Sequence, residues 1–162
     1  MVVHLHRRPP RELGQTGRFG PHDLLERGLY RQWFIRYRLD QELIECRRYG
    51  VPLSVVILSP MLIAGEANPE ERVSAGAMAA RAAARTSDLI GWLDGDDILV
   101  VLPHSDLTGA HAAVARWQEH MVREPAAFRP VRWLASSLED HGDFETGSEF
   151  IAAAMHRFRG LD

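Results

Sequence analysis

Two groups of charged residues lie close together in the stretch Arg85–Pro103, RTSDLIGWLDGDDILVVLP. Asp94, Asp96 and Asp97 place three carboxylates around Gly95, between the apolar runs Leu89–Leu93 and Ile98–Leu102. Two such runs around a polar, glycine-containing turn predict a β-hairpin with the carboxylates at its tip. Hard oxygen donors of this kind could hold Ca²⁺ or Mg²⁺, but such ions take further oxygen ligands from a second segment, and without one the tip is a solvated acidic turn. A few residues upstream, Arg85 and Asp88 form an R-x-x-D pair at the end of an alanine-rich helical stretch. Three apart at a helical end, they project to one side. They are either a surface ion pair, worth well under ~1 kcal/mol, or a charged pair offered to a ligand. His4 and His6 could touch a metal, but they stand in a basic segment without further ligands.

Composition limits what these residues can do. A chain of 162 residues is expected to form one domain with one core. The apolar fraction of 46% and charged fraction of 25% are those of a globular chain, and a net charge of −3 gives no general affinity for nucleic acid or anionic membrane. Any anion site must therefore be local. All 19 basic residues are arginine, which removes lysine-dependent chemistry such as Schiff bases and a P-loop lysine. The single Cys46 excludes an internal disulfide, suits a reducing compartment and reads as a core residue. No stretch approaches the ~18 apolar residues of a membrane span. The expectation is a cytoplasmic protein with no membrane insertion.

The elements that must position the charged residues follow from periodicity. Residues 1–20, with four arginines, two prolines and three glycines, read as a flexible basic tail. From Asp23, a candidate N-cap, apolar residues recur at helical spacing through Trp33, Phe34, Tyr37, Leu43 and Cys46, until Gly50 and Pro52 stop the pattern. Leu53–Leu58 is a β-branched run expected to be buried on both faces. Ser59–Pro69 reads as a loop, Glu70–Arg85 as a helix, and Leu107–Met121 as a helix capped by Ser105-Asp106. Glu124–Pro130 reads as a linker, Val131–Ser136 as a strand, and Glu149–Phe158 as a last helix capped by Ser148. Trp33, Phe34 and Tyr37 are expected in the core or an interface. This alternation of helices and strands predicts an α/β sandwich with a mixed sheet.

On these residues the chain resembles the GGDEF domain of bacterial diguanylate cyclases. The likeness rests on Arg85-Thr86-Ser87-Asp88, then Asp94-Gly95-Asp96-Asp97-Ile98 at the place of the five-residue signature, then Leu102-Pro103 and Asp106-Leu107-Thr108-Gly109-Ala110. Upstream, Asp23, Leu25 and Phe34 match the family's opening segment, and Arg47–Ser54 resembles its lead-in to the first strand. Glu149–Arg157 is similar to its last helix. The resemblance covers about residues 23–158 and implies a mixed, mostly antiparallel sheet surrounded by helices over residues 21–162.

Departures from the family's pattern bear on activity. The resemblance implies a metal carboxylate at the end of the first strand, where this chain has Ser59 followed by Pro60. The next loop has Ile63-Ala64 and Ala67-Asn68 in place of the phosphate- and guanine-holding pairs, and it is shorter. Asp94 replaces the signature's first glycine and would crowd and repel a nucleotide; Asp97 replaces the metal-binding glutamate and lacks its partner. The expectation is therefore a degenerate domain with no catalytic residues, no cyclase activity and no metal. The R-x-x-D pair is, in the family, an allosteric site for cyclic di-GMP, and Arg116 falls where an auxiliary arginine sits. The resemblance thus implies cyclic di-GMP as ligand at Arg85, Asp88 and Arg116, with the arginine reading a guanine edge or phosphate and the aspartate reading guanine N–H groups. A receptor of this kind would signal through a protein partner and could form a homodimer. The alternatives are a ligand-independent interaction module and a domain that retains GTP binding.

Overall fold

Six strands and four helices make up residues 24–62, 69–123, 128–139 and 144–160, which this computed structural model describes. The strands are β1 (Leu25–Glu26), β2 (Leu29–Tyr30), β3 (Leu53–Leu62), β4 (Leu89–Trp92), β5 (Ile98–Pro103) and β6 (Phe128–Ser137). The helices are α1 (Gln32–Tyr49), α2 (Pro69–Ala83), α3 (Leu107–Arg123) and α4 (Gly147–Arg159). One sheet runs in the order β1-β2-β4-β5-β3-β6, with β2 and β4 parallel and every other neighbouring pair antiparallel. This is the mixed, mostly antiparallel α/β sheet expected.

Alternation along the strands explains why helices cover both faces. Val56, Leu58, Val100 and Leu102 point to one side, where Ala77, Ala80, Val114 and Trp117 of α2 and α3 meet them. Leu53, Val55, Leu99 and Val101 point to the other, against Ile35, Leu39, Leu43 and Cys46 of α1 and Phe150, Ile151 and Ala154 of α4. A run such as LSVVIL has apolar residues for both sides, so it suits an interior strand. Cys46 lies in the core as expected; burial pushes its thiol pKa up, and the thiol faces the Pro52 carbonyl. Gly50 closes α1 in the left-handed region, at φ 63°, with the Val51 N–H returning to the Cys46 carbonyl at 3.0 Å.

Several boundaries differ from the sequence reading. Residues 25–30 form two short strands, and α1 begins only at Gln32, behind Arg31, whose side chain makes no cap. Arg27 and Gly28, at φ 48° and 80°, make the two-residue turn between those strands. β3 runs on to Leu62 past Pro60, because a register shift at Ser59/Pro60 sets Pro60 opposite Pro130, where neither strand needs a proline N–H. β6 accordingly starts at Phe128, within the expected linker. α2 ends at Ala83, so Arg85 lies in the turn after it. α4 is capped by Thr146, whose Oγ1 accepts the Glu149 N–H at 3.2 Å, and not by Ser148. The basic segment 1–20 with His4 and His6, the Asp23 cap, Ile63, Ala64, Ala67 and Asn68, and residues 140–143 before α4 lie outside the described residues. None of the described helices is long and apolar enough to cross a membrane.

Candidate functional site

The β4–β5 connection is a 3₁₀ turn over Asp94–Asp96, with Gly95 at φ 72° and Asp96 at φ 64°. Its three carboxylates, read from sequence as a solvated tip, each have a partner from another part of the chain. Asp94 Oδ1 accepts from Gln32 Nε2 at 2.9 Å, at the start of α1. Asp96 Oδ1 takes a charge-assisted hydrogen bond from Arg27 Nη2 at 2.8 Å. The Arg27 guanidinium also lies over the Trp92 ring, 4.2 Å from its centroid, and Trp92 Nε1 donates to the Glu26 carbonyl at 2.6 Å. The β1–β2 turn is thereby fastened to the end of β4. Arg27 and Asp96 both have positive φ, a conformation unfavourable for residues other than glycine, and their ion pair and the stacking on Trp92 help to hold it.

Ser59 and Asp97 are brought together by strand register. Leu58 pairs with Ile98 between β3 and β5, so the next positions along, Ser59 and Asp97, face one another. The Ser59 hydroxyl donates to the Asp97 carboxylate. Burial raises the Asp97 pKa, against the Ser59 hydrogen bond and the positive charges of Arg132 and Arg159; neighbouring Asp96 adds to the rise. On the opposite flank, burial lowers the Arg36 pKa, and the charges of Asp94 and Asp40 act against that. Among the described residues no group of three or more His, Cys, Asp or Glu is arranged to hold a metal ion.

The sign for Asp97 yields a test. A carboxylate whose folded pKa lies above its unfolded value favours folding most below the unfolded pKa, and that contribution is lost as pH rises through the folded pKa. Asp97→Asn removes the buried charge and keeps an acceptor for Ser59. The variant should be at least as stable as the parent at pH 7, with the difference shrinking toward pH 4, in urea titrations across that range.

The R-x-x-D pair lies in the turn between α2 and β4. Asp88 Oδ2 accepts the backbone N–H of Arg85 at 2.8 Å, and the Asp88 N–H returns to the Arg85 carbonyl at 3.1 Å. Of the two readings open from sequence, the side-chain ion pair between Arg85 and Asp88 is not formed. Among the described residues the exposed Arg85 guanidinium has no hydrogen-bond or ion-pair partner, and Asp88 is half-buried. Arg116 is the tenth residue of α3, about 14 Å along the axis from the start of that helix. Its Nε is buried without a hydrogen-bond partner, and no bond links it to Arg85 or Asp88. The structure therefore unites Ser59 with Asp97 and orders the Arg85–Asp88 turn, to which Arg116 is not bonded.

Arg27, Gln32, Arg132 and Arg159 were not identified from sequence as parts of the acidic site. Each lies more than 30 residues from the carboxylate it serves, and nothing local marks it. For the α4 cap a signal was present: Thr146-x-x-Glu149 has capping-box spacing, although the Glu149 carboxylate bonds the Glu145 N–H at 2.8 Å rather than that of Thr146.

No family model and no curated protein matches the sequence. Solved structures do match in fold. The isolated GGDEF domain of YfiN (TpbB) from Pseudomonas aeruginosa is 18% identical with a TM-score of 0.65, over 83% of this chain and 86% of that one. The GGDEF domain of DgcB from Caulobacter crescentus, solved with cyclic di-GMP, is 12% identical with a TM-score of 0.61, over 82% of both chains. The diguanylate cyclase SiaD of Pseudomonas aeruginosa, solved with its activator SiaC, is 20% identical with a TM-score of 0.55, over 79% of this chain and 53% of that one. The sheet order, the helices on both faces and the acidic β4–β5 turn thus belong to a chain with the fold of the GGDEF domains of diguanylate cyclases.

Proposed function

We propose that this domain is a non-catalytic GGDEF-fold receptor that binds cyclic di-GMP at the Arg85–Asp88 turn and passes the signal on through a protein contact. The observation that carries the reading is the contrast between two neighbouring charged groups. The carboxylates of the acidic turn are engaged by Gln32, Arg27 and Ser59, while the Arg85 guanidinium stands exposed and unpaired among the described residues. Joining two GTP molecules requires divalent cations held by carboxylates against the phosphates. Here the place of one such carboxylate is a hydroxyl that already donates to Asp97, and two arginines lie close enough to act on its charge. An arginine fork, by contrast, suits a phosphate or the O6/N7 edge of guanine without further chemistry. The binding of cyclic di-GMP by DgcB, a protein of the same fold, supports this choice of ligand.

The output surface is proposed to lie on the helices. Ile44 and Tyr49 of α1 and Met78 of α2 are exposed large apolar residues, as a protein contact would use. The complex of SiaD with SiaC is a precedent for protein contacts by this fold.

Calorimetric titration of the full chain with cyclic di-GMP tests the reading. Binding tighter than about 100 μM, weakened at least tenfold by Arg85→Ala, is the expected outcome. Absence of heat in the parent chain, or an unchanged affinity in the variant, overturns it. Incubation with GTP and Mg²⁺ should give no cyclic di-GMP, and turnover would refute the non-catalytic part.

A further inference from the structure

Two opposite sides of α1 carry apolar side chains, and the fold buries one of them. Ile35, Leu39, Leu43 and Cys46 recur at spacings of four, four and three and are buried in the core that the helix shares with the sheet and α4. At 3.6 residues per turn, the opposite side carries Trp33, Tyr37, Gln41, Ile44 and Arg48, at spacings of four, four, three and four. Trp33 and Tyr37 are half-buried, Gln41 and Arg48 are exposed, and Ile44 is 66% exposed. A helix with one buried face carries charged and polar residues on the other. Here the other face is a second stripe, ~22 Å long from Trp33 to Arg48. Its side chains are already ordered: the Trp33 and Phe34 rings meet edge-on with centroids 5.5 Å apart, and Gln41 Nε2 donates to the Tyr37 hydroxyl at 2.9 Å. Trp and Tyr are the residues on which protein contacts concentrate their energy, and side chains held in place beforehand lose less freedom on binding.

Charge selects the occupant. Asp40 accepts the Gly147 N–H and Glu42 pairs with Arg38, so both carboxylates are committed within the domain. At the C-terminal end of the face, Arg47 and Arg48 make no ion pair among the described residues, and the Arg48 guanidinium lies 5.5 Å from the Tyr49 ring centroid. A second copy of this chain fits poorly. Antiparallel about Gln41, it sets Arg47 close to the partner's Arg36, and parallel, it sets Arg47 and Arg48 against themselves. A helix with carboxylates in its first turn fits well, because that is where a helix favours negative charge, and antiparallel docking lays this turn over Arg47 and Arg48. Resting on the protein-contact part of the reading above and not on its ligand, we infer that the outer face of α1 docks an amphipathic helix of a different protein. That helix runs antiparallel to α1, with its acidic first turn over Arg47 and Arg48 and its apolar stripe over Ile44, Tyr37 and Trp33.

Three synthetic peptides of about 20 residues, long enough to span the stripe, test this by fluorescence anisotropy with the full chain. All carry leucines at four-three-four spacing and are stapled so that circular dichroism shows them helical; one has glutamates in its first turn, one has glutamates in its last turn and one has lysines in its first turn. The first should bind tighter than about 100 μM, the second at least about threefold more weakly and the third at least about tenfold more weakly. Ile44→Asp, at an exposed position, should weaken the first peptide at least about tenfold, and the double variant Arg47→Glu with Arg48→Glu should remove the preference for glutamate over lysine. Equal binding of the three peptides, binding of none, or an unchanged affinity in Ile44→Asp overturns the inference. So does a dimer of the parent chain in sedimentation velocity that Ile44→Asp dissociates, because a second copy is then the occupant. None of these outcomes bears on calorimetry with cyclic di-GMP, so the ligand reading stands or falls separately.

Discussion

Gly91→Ala should lower the melting temperature by about 10 °C, with a loss of about 3 kcal/mol in stability. Gly91 sits in β4, opposite Leu99 of β5 and Tyr30 of β2, so its backbone is fixed on both sides. A Cβ added there would lie 2.5 Å from Ile35 Cβ, 2.7 Å from its Cγ2 and 2.9 Å from its Cγ1. Ile35 is fully buried in the first turns of α1, and a β-branched side chain on a helix has essentially one χ1 choice, so it cannot rotate out of the way. Either α1 lifts from the sheet or β4 moves against two neighbours. The comparison that isolates this contact is the double variant with Ile35→Gly, which removes all three of those carbons; its combined cost should fall short of the sum of the two single costs by ~1 kcal/mol or more. Strict additivity in urea denaturation would mean that the close approach is not the cause.

The second large effect is expected where α4 docks on α1. Gly147 opens α4, and its N–H donates to Asp40 Oδ1 at 2.6 Å. A Cβ on Gly147 would meet that same oxygen at 2.8 Å, Leu39 Cγ at 2.9 Å and the Asp40 backbone nitrogen at 3.1 Å. The backbone contact cannot be relieved by a rotamer change. Gly147→Ala should therefore cost about 2 kcal/mol, from strain together with a weakened hydrogen bond. Asp40→Asn keeps an acceptor and should cost much less, whereas Asp40→Ala leaves a half-buried N–H unsatisfied and should cost about 1 kcal/mol or more. Chemical denaturation of the three variants gives the ranking, and an Asn variant as damaged as the Ala variant would show that the charge of Asp40 matters rather than its acceptor oxygen.

Both glycines show where reading the sequence stops. A glycine within Leu89–Trp92 signals a close backbone approach, but not that Ile35, more than fifty residues earlier, is what approaches. The strands β3, β4 and β5 and helices α2 and α3 were legible because apolar runs and periodicity are local properties. The β1–β2 pair was not: Leu24, Leu25 and Leu29 have helical spacing, and Arg-Gly is an unusual pair for a two-residue turn. Its conformation is supported by Arg27 stacking on Trp92 and pairing with Asp96, contacts made across 65 and 69 residues. The acidic turn follows the same logic. Its position could be read directly, but its state could not, because free carboxylates and carboxylates held by distant arginines and hydroxyls look alike in a sequence. At the R-x-x-D turn the spacing could be read directly but not the bonds the two side chains make, since an aspartate three residues on can satisfy a backbone N–H as readily as a guanidinium.

The placement of β3 between β5 and β6 also has a consequence for synthesis of the chain. Both of its neighbours lie later in the sequence, and Ser54 finds its β6 partner, Ser137, only 83 positions on. At translation rates of about 5–20 residues per second, the apolar run of β3 waits several seconds with at least one edge open. During that interval it has the properties of an aggregation-prone strand. The preceding helix α1, already complete, can cover one face of the strand, and α2 the other once residue 83 has been added.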